Sequence, residues 1–157
     1  MATLTSTITE SISLNGADRG STNALTIASV TQVFHRIVTC PTGQDTTLAT
    51  FASVADDSAV SGSLDVEDVK YIRVTNLDGT NPVNLSLQVD AGEDDSAADE
   101  SATLLLAAGR SFVMGVPSDG VAVSDANATL IDTLHNLESI LIDPLSNAVT
   151  VEVFIAS

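Results

Sequence analysis

Val69-Lys70-Tyr71-Ile72-Arg73-Val74-Thr75-Asn76-Leu77-Asp78-Gly79-Thr80-Asn81-Pro82-Val83-Asn84-Leu85-Ser86-Leu87-Gln88-Val89 is the stretch that decides the fold class. Val69–Thr75 and Val83–Val89 alternate apolar and polar side chains at period two, as a half-buried strand does. β-branched and aromatic residues recur in both runs and favour extended backbone. Between them, Asp78-Gly79 is a turn signal, and Pro82 stands where a strand begins and its missing N–H is tolerated. The pattern predicts two strands joined as a hairpin.

The same alternation runs outward in both directions. Over residues 2–14, Leu4, Ser6, Ile8, Glu10, Ile12 and Leu14 take one side, and Thr3, Thr5, Thr7, Thr9, Ser11 and Ser13 the other. This is a strand with a hydroxyl face, broken at Asn15–Gly20. It belongs either to the domain's own sheet or to an arm that pairs with a neighbouring subunit through backbone bonds. Leu25–Val38 reads as two extended pieces, with Val33, Phe34, Ile37 and Val38 available to a core, and Thr47–Val54 as another strand. Thr103–Leu106 and Ser111–Val116 read as a strand pair around Ala107-Ala108-Gly109-Arg110. Ser139–Ile142 and Val149–Ile155 are closing strands. Leu130, Leu134 and Leu137 have helical spacing, so at most one short helix is expected. Together these elements predict one all-β domain over residues 1–157, an antiparallel, jelly-roll-like β-sandwich of about eight to ten strands.

Composition narrows what such a domain does. Aromatic residues make up only 3% of the chain, so the core must come from Val, Leu, Ile and Ala, with Phe34, Phe51, Phe112 and Phe154 as its few large pieces. Twenty-one acidic residues against five basic ones leave a net charge of −16. Arg19, Arg36, Lys70, Arg73 and Arg110 are scattered and form no basic stripe, which argues against nucleic acid and against anionic membranes. A single cysteine, Cys40, excludes an intrachain disulfide. The Met-Ala-Thr start has neither a basic nor a long apolar region, so no signal peptide is expected and synthesis in a cytoplasm is.

The sequence carries no recognisable catalytic or cofactor set. His35 and His135 are the only histidines, and no GxSxG elbow presents a serine. Cys40 has no basic neighbour to lower its pKa. Lys70, the sole lysine, follows no Gly-rich phosphate loop. Asp56-Asp57, Asp94-Asp95 and Asp99-Glu100 are adjacent pairs in polar loops, where neighbouring side chains diverge. The acidic run Asp90–Glu100 could hold a structural calcium, although its spacing departs from the EF-hand pattern. No catalytic, cofactor or metal residue is therefore assigned.

Three groups of residues occur in a suggestive order. Thr9-Glu10-Ser11-Ile12-Ser13-Leu14-Asn15-Gly16 and Val33-Phe34-His35-Arg36-Ile37 come first, then Tyr71-Ile72-Arg73 with Asn76-Leu77-Asp78. After the acidic run come Ala108-Gly109-Arg110-Ser111-Phe112 and the closing Val151-Glu152-Val153-Phe154-Ile155-Ala156. Spanning most of the chain, this order resembles small virion structural proteins of tailed bacteriophages, marine ones in particular. The resemblance implies a non-enzymatic β-sandwich subunit carried on the virion. The leading expectation is a capsid decoration or cement protein. A tail or fibre-associated subunit is the alternative, and a calcium-dependent binding module is a reading from another class. The partners implied are the major capsid protein or tail proteins, and copies of the chain itself in a homo-oligomer.

Overall fold

Alternate side chains of the run Val83–Val89 are buried, and what buries them is a second sheet. The structure is a computed structural model that describes residues 1–53, 62–89, 100–123 and 133–157. Among these residues there is no helix, and the strands are β1 (Ala2–Glu10), β2 (Ser13–Leu14), β3 (Ala17–Asp18), β4 (Ser21–Val30), β5 (Val33–Cys40), β6 (Thr46–Ala52), β7 (Leu64–Asp65), β8 (Tyr71–Asn76), β9 (Val83–Val89), β10 (Glu100–Leu106), β11 (Ser111–Met114), β12 (Leu137–Asp143) and β13 (Val149–Ala156). One sheet has the order β10-β9-β12-β6-β7 and the other β11-β8-β13-β5. All pairs are antiparallel except β6 with β7.

Numbered one to eight along the chain with the short β7 left aside, the eight sandwich strands give sheets of order 1-8-3-6 and 2-7-4-5. That is the connectivity of a jelly roll, with two interleaved Greek keys. The expectation of an antiparallel, jelly-roll-like sandwich holds.

Between the sheets lie Ile72, Val74, Val83, Leu85, Leu137, Ile140, Ile142, Val149, Val151, Val153 and Ile155, each at most 1% exposed. Each buried side chain of this size is worth about 1.5–3 kcal/mol of hydrophobic stabilisation. The core is aliphatic, as the composition required. Phe51 is buried in it and Phe34 and Phe112 pack against its margin. Phe154 does not join it. Alternation in β13 turns Phe154 to the outer face, beside Tyr71.

Several local expectations fail for one reason: consecutive strands cross from sheet to sheet. Val69–Thr75 and Val83–Val89 form no hairpin, because β8 lies between β11 and β13, and β9 between β10 and β12. Asp78-Gly79 is not a tight primed turn, since neither residue has the positive φ that type I′ requires. Asp78 Oδ1 instead accepts hydrogen bonds from the Thr80 and Asn81 N–H groups, both at 2.7 Å, and holds the segment as an Asx-type loop. These two donors keep the Asp78 carboxyl below the ordinary range. The strand pair expected around Ala107–Arg110 is likewise divided, with β10 in one sheet and β11 in the other. Val33 and Ile37 lie outside, because β5 turns Phe34, Val38 and Cys40 inward. Of the leucines with helical spacing, Leu137 opens β12, Leu134 is exposed and Leu130 lies outside the described residues.

One buried amide holds these crossings together. Asn76 is fully buried, and its Nδ2 donates to Asn81 O (2.9 Å) and to Leu106 O (3.2 Å). Its Oδ1 accepts from the Asp78 N–H, and its own N–H donates to Arg110 O. Asn147 Nδ2 adds a bond to Asn81 Oδ1. Three cross-sheet connections thus meet at one end of the sandwich. Asn76→Ala should cost about 1–3 kcal/mol, because it orphans buried acceptors and a donor. Urea unfolding reads this directly, and a loss no larger than that of the half-buried Asn84→Ala would argue against the role.

Candidate functional site

The first thirty residues build something the sandwich does not need. β1 and β4 pair antiparallel along their length, Leu4 opposite Ile27, Ser6 opposite Leu25, Ile8 opposite Asn23 and Glu10 opposite Ser21. The strand expected over residues 2–14 is therefore present over Ala2–Glu10, with a partner from within the chain. Beyond it, β2 and β3 close on Leu14-Asn15-Gly16-Ala17. Asn15 and Gly16 have φ of 54° and 75°, the left-handed pair of a type I′ turn. At Gly20 the Glu10 carbonyl is so close that a Cβ would lie 2.2 Å from its oxygen. Here the sequence signal of a two-residue Asn-Gly turn is a true hairpin signal.

Among the described residues, this ribbon is anchored at its root. Thr31 and Gln32 donate backbone bonds to Ser157 O, and Ser157 N–H donates to Gln32 O. Lys70 Nζ donates to the carbonyl of Ser29, a residue with φ of 59° at an irregularity near the root. Tyr71 Oη and Ser6 Oγ are 3.1 Å apart. Leu4 and Ile27 pack on Val30, Tyr71, Phe154 and Ala156, on the outside of the β11-β8-β13-β5 sheet.

Register places Leu4, Ile8, Leu25 and Ile27 on one face and the threonines of β1 on the other. The apolar face is covered at Leu4 and Ile27, then continues bare: Ile8 is 54% and Leu25 51% exposed.

The sheet face beside the root is bare as well. Its exposed apolar side chains are Val33 (55%), Ile37 (63%) and Val113 (45%). Between them runs a polar network. Glu152 accepts from Arg73 Nη1 at 2.8 Å through one oxygen and lies 2.8 Å from His35 Nε2 through the other. Arg73 also donates to Thr75 Oγ1, which pairs with Ser111 Oγ. The Arg73 hydrogen bond, then that of His35, holds the Glu152 carboxyl below its ordinary range. Arg36 lies over the Phe34 ring, 4.7 Å from its centroid, on the inward side of the edge strand β5. An inward charge on an edge strand discourages strand addition there.

Charge is distributed unevenly over these surfaces. Residues 1–30 contain Glu10, Asp18 and Arg19, a net −1, whereas the other 127 residues contain nineteen carboxylates and four basic groups, a net −15. The four strands β5, β8, β11 and β13 contain Arg36, Arg73 and Glu152, a net +1.

The residues singled out for chemistry are not brought together. His35 sits on the outer face against Glu152 and Phe154. Cys40, in the same strand, is fully buried, and burial pushes its thiol up from the ordinary value. His135 forms a backbone bridge with Val121. Asp56-Asp57, Asp94-Asp95 and Asp90–Asp99 lie outside the described residues, and Glu100 opens β10. Among the described residues no three His, Cys, Asp or Glu side chains converge as a metal set. None of the described helices could cross a membrane, as there are none. What the sequence did not reveal is the bare outer face of this sheet, because Val33 and Ile37 read as core residues.

No family model matches the chain, and no curated protein matches it in sequence. Among solved structures, a chain described under "Bacillus endospore appendages form a novel family of disulfide-linked pili" is similar at 15% identity. The match covers 82% of this chain and 88% of that one, with a TM-score of 0.38. A likeness this low assigns no function.

Glu152→Gln should lower stability at neutral pH by removing the ionised partner of Arg73 and His35. A depressed carboxyl stabilises the fold above the unfolded-state pKa of about 4.3, and that contribution is lost as pH falls through the folded-state value. The gap between wild type and variant should therefore be open above about pH 5 and close in acid. Urea titrations across that range measure it; a gap independent of pH would contradict the assignment. Tyr71→Phe should speed amide exchange in β1 and β4 while leaving β9 and β12 protected, because it cuts only the Ser6 tie of the ribbon root.

Proposed function

We propose that the protein is a non-enzymatic structural subunit of a virion, most simply a decoration or cement protein that stabilises a capsid shell. The observation that carries the reading is the ribbon. It extends a bare apolar stripe from a body that is otherwise strongly acidic, and an isolated domain gains nothing from such a stripe. The order of motifs supplies the virion setting. The acidic body suits electrostatic docking on a more basic lattice, which raises the rate and selectivity of encounter.

The test is a mass-spectrometric inventory of purified particles from the source phage. The chain should be present in a copy number that tracks the major capsid protein. A few copies per particle would move it to the tail or fibre, and absence from the particle would overturn the virion reading.

A further inference from the structure

We propose that the occupant of the bare ribbon stripe is a second copy of this chain, with Ile8 and Leu25 of one copy seated over Val33 and Ile37 on the outer face of the β11-β8-β13-β5 sheet of the next. This rests on the reading of the chain as an assembly subunit and names that subunit's first partner.

Three observations select this occupant. The first is precedent within the molecule. The proximal half of the same stripe, Leu4 and Ile27, already packs on the outer face of this sheet, against Tyr71, Phe154 and Ala156. The distal half offers the same side-chain chemistry, and the same face continues past the root as bare Val33 and Ile37. Neither surface covers the other within one chain, since all four side chains remain more than half exposed.

The second is charge. Two molecules of net charge −16 repel, and that repulsion is smallest where the carboxylates are fewest. The ribbon at −1 and the outer face of the four-stranded sheet, where Arg73 and Glu152 cancel, are those places. A partner of opposite charge would seek the acidic remainder instead. The third is the sheet edge. The inward Arg36 disfavours strand addition at the β5 edge, the edge that lies beside bare Val33 and Ile37.

The two contacting surfaces differ, so each copy donates one ribbon and receives one. Such a heterologous contact propagates to a ring if its rotation closes and to a filament if it does not. Because the contact is apolar between like-charged molecules, salt should strengthen it. At an ionic strength of about 1 M the Debye length is about 3 Å and the mutual repulsion is largely screened.

Sedimentation velocity on the full chain at that ionic strength provides the test, with Leu25→Asp as a donor-defective variant and Ile37→Asp as an acceptor-defective one. Both positions are exposed, and unchanged far-UV circular dichroism establishes that each variant is folded. Wild type should sediment as an assembly and each variant alone as a 16.1 kDa monomer. An equimolar mixture of the two variants should form a one-to-one complex and nothing larger, because only one intact donor–acceptor pair remains.

A monomeric wild type, variants that assemble like wild type, or a mixture that stays monomeric would each overturn the pairing. Leu25→Cys and Ile37→Cys chains mixed with a short bis-maleimide should also cross-link to each other, with Cys40 silent because it is buried. Failure here while the chain is found in particles would reject the self-pairing and leave the virion reading standing. Self-assembly of a chain absent from particles would do the reverse.

Discussion

The side-chain amide of Asn76 occupies the point on which the sandwich depends. A jelly roll must carry its chain from one sheet to the other again and again, and each crossing takes backbone polar groups past the end of a dry core. Asn76 resolves two such crossings directly, reaching Asn81 and Asp78 in one and Leu106 in the other, and Asn147 ties the third to Asn81. A leucine of similar volume would bury as well but leave those groups unpaired, at a cost comparable to that of a lost hydrogen bond each. The apolar layer supplies most of the stabilisation, and the amide supplies the pairing of ends that makes this connectivity accessible.

Two apolar clusters divide the molecule's work. The larger lies between the sheets and is sealed. The smaller lies outside, where Val30, Tyr71 and Ala156 receive Leu4, Ile27 and Phe154, and it is open on one side. That difference follows from strand geometry. Every strand has two faces, and in β13 the face bearing Val149, Val151, Val153 and Ile155 closes the core while Phe154 and Ala156 are left to find another cover. The ribbon covers them and has length to spare. The Arg73–Glu152–His35 network beside it keeps a nearly neutral field on a face of an otherwise acidic protein.

Side-chain alternation was legible from the sequence almost residue by residue. Threonines against Leu4 and Ile8, and Asn84, Ser86 and Gln88 against Val83, Leu85, Leu87 and Val89, stand on opposite faces as period two requires. The candidate site was legible in half. The ribbon strand could be read because its two faces differ in chemistry. Its receiving face could not, because Val33 and Ile37 look like core residues until the inward set Phe34, Val38 and Cys40 has been assigned. Turn signals were ambiguous in a similar way. Asn15-Gly16 makes a tight turn and Asp78-Gly79 does not, although both dipeptides permit one.

The sequence by itself determined an all-β chain, its aliphatic core and its acidic surface, because alternation and composition are local or additive properties. Tertiary structure alone decided which strands are neighbours. β8 and β9 lie in opposite sheets with their apolar faces meeting across the core, whereas a hairpin would turn both faces inward from one side, and alternation is the same in either arrangement. It also decided that residues 1–30 stand outside the sandwich, since only the filled core reveals that no place remains in it for Ile8 and Leu25.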